Sequence, residues 1–146
     1  MFHRILLCYD GSVEGRNALK DGADVALCMQ SEAHLLAILR TTPAALVPEG
    51  VTAMMVAQQE QEATRILNEG VDWLKERGLE ARGYIAFGDP IEHIDAAARK
   101  LQVDLVVVGH RQRSRLARWW SEAEDATLLD RAACSILVSI APPAAA

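Results

Sequence analysis

Apolar residues are grouped along this chain into five short runs, each as long as a β-strand. Four longer segments separate the runs, and in these the apolar residues recur every three or four positions, the period of an amphipathic helix. Two of the runs, DLVVV and ILLCY, are continuously apolar, which is typical of strands buried on both faces of a sheet. The predicted strands span residues 3–9, 33–39, 80–87, 104–108 and 135–140.

Capping residues indicate where the predicted helices begin and end. Ser12 is a suitable N-cap for the first helix. The apolar residues of the second helix share one face as far as Leu74, and Gly78 follows where a C-cap is needed. The third helix opens with Asp89 as N-cap, a proline at its first position and a glutamate in its first turn. A fourth helix is predicted over residues 115–132, and a long loop over residues 41–52.

Strands and helices alternate along the whole chain, which predicts an α/β domain. The alternation implies a mostly parallel sheet with right-handed crossovers and helices on both faces. The chain has 146 residues, a length that suits one domain with a substantial core. We therefore expect a single domain over residues 1–141 and a disordered tail over residues 142–146.

Charge, cysteine content and hydrophobic segments limit the kinds of partner and the cellular location that we expect for this protein. The net charge of −5 argues against a nucleic-acid-binding protein held by a general basic field. Three cysteines occur without a C-x-x-C pair, and Cys8 and Cys134 lie in or beside apolar runs. We therefore expect that these thiols are buried and reduced, and that the protein is cytoplasmic. The apolar run at the N-terminus is too short for a signal peptide, and no stretch approaches the roughly 20 apolar residues of a membrane span.

Ligands of open parallel sheets bind beyond the carboxyl ends of the strands, near the point where the strand order switches. The chain places four segments there: Tyr9-Asp10-Gly11-Ser12, the loop from Arg40, Gly88-Asp89, and the segment from Gly109 to Arg115. No P-loop is present, no G-x-G-x-x-G follows the first strand, and neither G-x-S-x-G nor H-E-x-x-H occurs. Because no nucleophile–base pair or metal cluster is visible, we expect a protein that is not an enzyme and has no catalytic or metal site.

Three motifs in a fixed order carry a family resemblance. YDGS follows the first strand, GDP-x-x-x-I opens the third helix, and VVVG precedes a long loop and the C-terminal strand SILV. Together they resemble the universal stress protein (UspA-like) family over residues 2–140. The resemblance implies a three-layer α/β/α sandwich of the Rossmann-like, adenine nucleotide alpha hydrolase-like type, with five parallel strands in the order 3-2-1-4-5. It also implies a cytoplasmic stress-response module that acts by binding and signalling.

The resemblance extends to oligomeric state. In relatives the last strand often pairs with its counterpart in a second copy, so a homodimer through the strand from Ser135 to Ile140 is implied. An uncovered apolar edge strand is otherwise prone to aggregation, which agrees with that arrangement. The sequence identifies no other protein partner, and neither nucleic acid nor a membrane is expected as one.

Family members that bind ATP carry G-x-x-G, nine residues and then G-[ST] after the fourth strand. Aligned without a gap, these positions fall on Gly109, Gln112, Glu122 and Ala123, so that three of the four depart from the pattern. Gln112 lacks the freedom of glycine at positive φ, and Ala123 has no hydroxyl. At ~4 Å a carboxylate such as Glu122 would repel a phosphate by roughly 1–4 kcal/mol. We expect weak or no ATP binding.

An alternative function uses the same segments: an adenine-nucleotide switch that binds AMP, ADP or ATP with at most slow hydrolysis. Asp10 matches the acid that contacts the nucleoside in ATP-binding relatives, although a local turn former explains it equally. Gly109 either admits a ligand or only ends its strand. The arginines after Gly109 either clamp phosphate or an anionic partner, or lie in a solvated loop.

His110 is predicted as a loop residue. No cofactor is certain, and the candidate cofactor-binding residues are Tyr9, Asp10, Gly11, Ser12, Ile38, Val108, Gly109, Arg111, Gln112, Arg113, Glu122 and Ala123.

Overall fold

A computed structural model describes residues 1–39, 53–111 and 128–141 of the chain. Strands and helices alternate as predicted, and residues 128–131 are also helical. The predicted loop at 41–52, the greater part of the predicted fourth helix and the tail at 142–146 lie outside the described residues. The elements are β1 (Arg4–Tyr9), α1 (Val13–Met29), β2 (Glu32–Leu39), α2 (Ala53–Glu76), β3 (Ala81–Phe87), α3 (Pro90–Leu101), β4 (Leu105–Arg111) and β5 (Ser135–Ala141).

The five strands form one parallel sheet in the order β3-β2-β1-β4-β5. This confirms the strand order implied by the family resemblance. β1 lies at the centre, and the chain leaves it in one direction towards β2 and β3 and in the other towards β4 and β5. The order therefore switches between β1 and β4, where the carboxyl ends of both strands lie at the same edge.

Successive side chains along a strand point to opposite sides of the sheet, and this alternation builds two cores. On the first side, Leu7 and Leu35 pack against α1 and α2. On the second side, Leu6, Cys8 and Leu36 pack against Ile91, Ile94 and Ala98 of α3. We refer to these sides as the α1–α2 face and the α3 face. The three predicted layers are therefore present.

The predicted capping residues act as expected. Ser12 caps α1, since its side chain accepts a hydrogen bond from the N–H of Gly15 at 3.0 Å. Asp89 caps α3 by accepting from the N–H of Ile91 at 3.0 Å, with proline at the first helical position. Gly78 follows the end of α2 with φ of +88°, a backbone conformation that glycine adopts without steric cost.

β4 is longer than the apolar run predicts. It continues beyond Val108 through Gly109 and His110 to Arg111, and every one of these residues pairs with β5. Pairing with β5 therefore extends β4 beyond its apolar run, into residues that the apolar pattern alone does not predict as strand. The prediction that His110 lies in a loop is wrong, because His110 is a strand residue opposite Ile140.

Two further expectations concern the thiols and the membrane. Cys8 is buried and Cys134 is half-buried, and neither forms a disulfide. Burial raises the pKa of both thiols, so that they stay protonated near neutral pH. None of the helices in the described part of the chain is long and apolar enough to cross a membrane.

Candidate functional site

The sheet divides between β1 and β4 at its carboxyl edge. β1 pairs with β4 only as far as Leu7 and Val107, although β1 stays paired with β2 up to Tyr9. β4 in turn stays paired with β5 up to Arg111. The division lies where the strand order switches, which is the place where open parallel sheets bind ligands. We call it the switch cleft and define it by Tyr9 and Asp10 on the β1 side and by Val108, Gly109 and His110 on the β4 side.

Three residues of neighbouring strands lie at one level of this edge. If the pairing of Leu7 with Val107 is continued, Asp10 stands opposite His110 across the switch cleft. If the pairing of β1 with β2 is continued, Ile38 stands beside Asp10. Ile38 and Val108 are buried in the core of the α3 face. By the same registers, Ile38 lies at the level of the two polar residues and Val108 lies one pair of residues below them.

The Asp10 side chain organises the turn that leads into α1. Its Oδ1 accepts a hydrogen bond from the N–H of Ser12 at 2.9 Å, and Gly11 between them has φ of +85°. Within the described ranges, Oδ2 makes no hydrogen bond. Asp10 is therefore a turn former, and its second carboxylate oxygen is not used in the turn, so that the two interpretations of this residue are compatible.

Gly109 is held against α1. A Cβ built on it would lie 2.8 Å from the carbonyl carbon of Glu14 and 3.3 Å from the Cβ of Ala18. The first distance is shorter than real contacts of a Cβ, so a side chain here would push α1 away from β4. Helix–strand packing alone accounts for a glycine at this position.

The Tyr9 side chain points away from the α3 face and lies among α1 and α2. Its hydroxyl donates to Oε1 of Glu69 at 2.7 Å, and Arg16 binds the same carboxylate oxygen at 2.9 Å. Burial, and then the hydrogen bond to Glu69, raise the pKa of Tyr9. The hydrogen bond from Tyr9, helped by Arg16 and Arg65, lowers the pKa of Glu69. The tyrosine side chain thus joins α2 to the end of β1, and only its backbone borders the switch cleft.

The sequence analysis did not find Glu69 or Arg16. The spacing of Arg65 and Glu69 indicates an ion pair along one helix, which the structure contains at 3.2 Å. Their contact with Tyr9 depends on how α2 packs against the sheet, which no local pattern reports.

His110 carries an unusual polar atom, which is buried near the cleft. Its Nδ1 is inaccessible to solvent and has no hydrogen-bond partner, and it is the one such side-chain atom in the part of the chain that the structure describes. Because side chains alternate along β4, His110 lies on the same face as Val108, the α3 face. The sequence could have pointed to His110, because it is a titratable residue that directly follows the apolar run LVVVG.

The family is shown by comparison with known proteins. A model of the universal stress protein family matches residues 1–139 of the chain. This chain belongs to the universal stress protein family. The resemblance stated from YDGS, GDP-x-x-x-I and VVVG is therefore confirmed over almost the whole chain.

Three relatives illustrate the similarity. Universal stress protein YxiE of Bacillus subtilis (strain 168) is 27% identical over 146 residues, which cover 94% of this chain and 99% of that protein. The solved structure of protein MJ0577 is similar with a TM-score of 0.77 at 20% identity, over 97% of each chain. A universal stress protein family protein of Arabidopsis thaliana, At3g01520, solved with AMP bound, has a TM-score of 0.67 at 16% identity, over 94% of this chain and 91% of that chain. At these identities the solved structures show a shared fold.

The other predicted site residues of this family member divide into two groups. Gly11 and Ser12 form the turn after β1, and Arg111 ends β4 at the same edge of the sheet. Four predicted ligand positions, together with Arg115, lie outside the described residues: Gln112, Arg113, Glu122 and Ala123. Within the described ranges, no three His, Cys, Asp or Glu side chains come together as metal ligands would.

Proposed function

We propose that this universal stress protein is a cytoplasmic stress-response binding module that works without turnover and binds ATP weakly or not at all. The observation that carries this proposal is the packing of Gly109 against Glu14. Gly109 is the one position of the ATP motif that the chain keeps. Because α1 requires a glycine there for packing, the retained glycine is no argument for a phosphate site.

Charge supports the same conclusion. Asp10 stands at the mouth of the switch cleft, just before the first turn of α1. Arg16, in the same turn, is engaged by Glu69 at 2.9 Å. Glu122 adds a further acid at a motif position where ATP-binding relatives have glycine. A triphosphate carries several negative charges, and repulsion by these carboxylates opposes its binding.

A second candidate function is an adenine-nucleotide switch that takes AMP, ADP or ATP. Oδ2 of Asp10 supports it, because this oxygen makes no hydrogen bond within the described ranges and lies beside the cleft. The Arabidopsis relative was solved with AMP bound, and another solved universal stress protein is in complex with cAMP. Both ligands combine one adenosine with a single phosphate, so the acids near the cleft oppose them less than ATP.

Titration calorimetry of the purified protein tests the proposal. For Mg-ATP we expect a dissociation constant of about 1 mM or weaker. Micromolar or tighter binding of ATP, or release of ADP above the rate of spontaneous hydrolysis, would overturn it. The matched variant restores the family pattern with Gln112→Gly, Glu122→Gly and Ala123→Ser together. This variant should bind ATP at least tenfold more tightly, since it removes a carboxylate and supplies the missing glycines and hydroxyl.

We also propose that the protein is a homodimer through β5. This strand is at the edge of the sheet, and Val138 and Ile140 remain 44% and 59% exposed there. Both residues lie on the same side of β5, because side chains alternate along a strand. An edge strand with an apolar exposed face favours pairing with another strand.

A further inference from the structure

We propose that Tyr84 is a covalent modification site that takes an acyl group from an activated ester, with His34 as the base that accepts its hydroxyl proton. Glu32 is a positioning residue, because it contacts the imidazole and not the tyrosine. The three residues lie on β2 and β3, apart from the switch cleft between β1 and β4. The proposal does not depend on nucleotide binding, and the addition of one acyl group per chain requires no turnover.

The placement of the base and the nucleophile is the first argument. His34 is only 2% exposed and lies on the α3 face, two residues before Leu36 in β2. Its ring lies beside that of Tyr84, with 5.7 Å between the ring centroids. Tyr84 is half-buried on β3, and β3 is an edge strand, so a small molecule can approach it from the side opposite β2. The base is therefore shielded from water while the nucleophile is accessible.

Hydrogen bonds at both ring nitrogens determine the tautomer of His34. Nε2 lies 2.8 Å from Oε1 of Glu32, and an ionised carboxylate only accepts hydrogen bonds, so Nε2 carries the ring proton. In the neutral imidazole Nδ1 is then an acceptor, and the hydroxyl of Tyr84 donates to it at 3.0 Å. Arg4 lies 3.8 Å from Oε2 of Glu32 and restrains the carboxylate further. The proton of Tyr84 therefore points at a basic nitrogen.

This arrangement has the three parts of an activated nucleophile: a hydroxyl, a base and a group that orients the base. The oxygen of Tyr84 attacks the carbonyl carbon of the ester, and its proton passes to Nδ1 of His34. The tetrahedral adduct then expels the alkoxide, which takes up that proton and leaves as an alcohol. The bond from the acyl carbon to the leaving oxygen is thus replaced by a bond to the tyrosine oxygen. The reaction consumes only the ester.

Tyr9 is the other tyrosine of the chain and provides an internal comparison. Its hydroxyl donates to Glu69 at 2.7 Å, and Arg16 is its second side-chain partner among the described residues. Neither partner is an imidazole. Tyr9 is only 1% exposed, and burial, followed by the bond to Glu69, raises its pKa. This tyrosine therefore has neither a suitable base nor access for an ester.

Acetylation of the full chain by p-nitrophenyl acetate tests the proposal. Peptide mass spectrometry of timed samples locates the acetyl groups and gives the rate at each tyrosine. Tyr84 should be acetylated at least a hundredfold faster than the model compound N-acetyltyrosinamide, because a positioned general base contributes roughly 10²–10⁴-fold. Tyr9 should remain unmodified. Acetylation of Tyr84 no faster than that of the model compound would overturn the proposal.

Variants assign the role of the base. His34→Gln keeps a polar side chain without a basic nitrogen and should slow the acetylation of Tyr84 at least tenfold. The matched control is His93→Gln, because His93 lies beside Gly88 in the first turn of α3 and is not part of this cluster. That variant should react within twofold of wild type. Acetylation of Tyr84 at the wild-type rate in folded His34→Gln would show that His34 is not the base.

The tautomer of His34 gives a second test in the wild-type protein, which does not depend on whether a variant folds. ¹⁵N NMR near neutral pH should show a protonated Nε2 and a bare Nδ1. Glu32→Gln should admit the other tautomer and slow the acetylation of Tyr84, whereas a glutamate with a merely structural role would leave both unchanged. A protonated Nδ1 in the neutral ring of wild type would mean that the imidazole donates to Tyr84, and this would overturn the proposal.

Discussion

At the scale of single residues, a polar side chain can stabilise the fold by forming hydrogen bonds with backbone N–H groups, and Asp104 is an example. Asp104 precedes β4 and accepts hydrogen bonds from the N–H groups of His3 at 2.8 Å and of Arg4 at 3.0 Å. Partial burial alone would raise the pKa of its carboxyl. The backbone hydrogen bonds outweigh that effect, and the pKa is lowered from its ordinary value of 3.8. Asp104 therefore holds the start of the central strand in its ionised form.

The variant Asp104→Asn should lower the free energy of unfolding at pH 7 by about 1–3 kcal/mol, because its amide has one acceptor oxygen for two N–H groups. The pKa of Asp104 is lower in the folded than in the unfolded protein. Its stabilisation is therefore complete above the unfolded pKa, roughly 4, and is lost as the pH falls through the folded pKa. Urea unfolding from pH 7 to pH 2.5 should show wild type and variant converging below about pH 4.

The control for this experiment is Asp24→Asn. Asp24 is exposed on α1 and makes no hydrogen bond or ion pair within the described ranges. Its replacement should change the stability by less than about 0.5 kcal/mol at any pH. A constant difference between Asp104→Asn and wild type across the whole pH range would show that the carboxylate charge is not responsible.

At the scale of elements, α1 and β4 approach each other more closely than side chains normally permit. Gly109 makes this possible, since its missing Cβ leaves room for the backbone of Glu14 in the first turn of α1. Gly109 does not have a positive φ, unlike Gly11, Gly78 and Gly88. Glycine is therefore required at this point for space and not for backbone conformation.

Replacing Gly109 with alanine should lower the free energy of unfolding by about 1–3 kcal/mol, through overlap with α1. Urea denaturation followed by circular dichroism measures the change. Gly78→Ala is the comparison, because nothing lies within 4 Å of a Cβ at Gly78 and its φ is +88°. That variant should lose about 1–2 kcal/mol by backbone strain alone. Unchanged stability of Gly109→Ala would show that α1 can move, and would reopen a ligand role for this glycine.

At the scale of the whole molecule, the sheet has two open edges that differ in character. β3 forms one edge and β5 the other. On β3, Ile85 is 38% exposed, whereas on β5 both Val138 and Ile140 are exposed to a greater extent. Exposed apolar residues at alternate positions favour pairing of β5 over pairing of β3, as the family resemblance also implies.

A lysine on each edge tests this difference. Ile140→Lys should convert the dimer to a monomer, since a charge on an edge strand opposes strand pairing. Ile85→Lys places the same charge on the other edge and should leave the dimer intact. Sedimentation velocity at micromolar concentration measures both. A monomeric wild-type protein, or equal dissociation by both variants, would contradict dimerisation through β5.

The residues at the cleft show how far sequence reasoning could go. The sequence predicts that the segment from Tyr9 to Ser12 and the segment that begins at Gly109 lie at one edge of the sheet, and Tyr9 and the residues from Gly109 to Arg111 do. The direction of the Tyr9 side chain was not predictable, because it depends on the packing of α2. The strand conformation of His110 was not predictable either, because it follows from pairing with β5, a strand distant in sequence.

The sequence by itself determined most strands and helices of the described residues, their caps and the family. These features depend on local signals: the spacing of apolar residues, residues such as Ser12 and Asp89 that satisfy a helix end, and short motifs. The tertiary structure alone decided that Gly109 serves helix packing, that Tyr9 binds Glu69, and that Nδ1 of His110 is buried without a hydrogen-bond partner among the described residues. The reason is physical, since burial and hydrogen-bond partners arise between segments that the sequence separates by 50 or more residues.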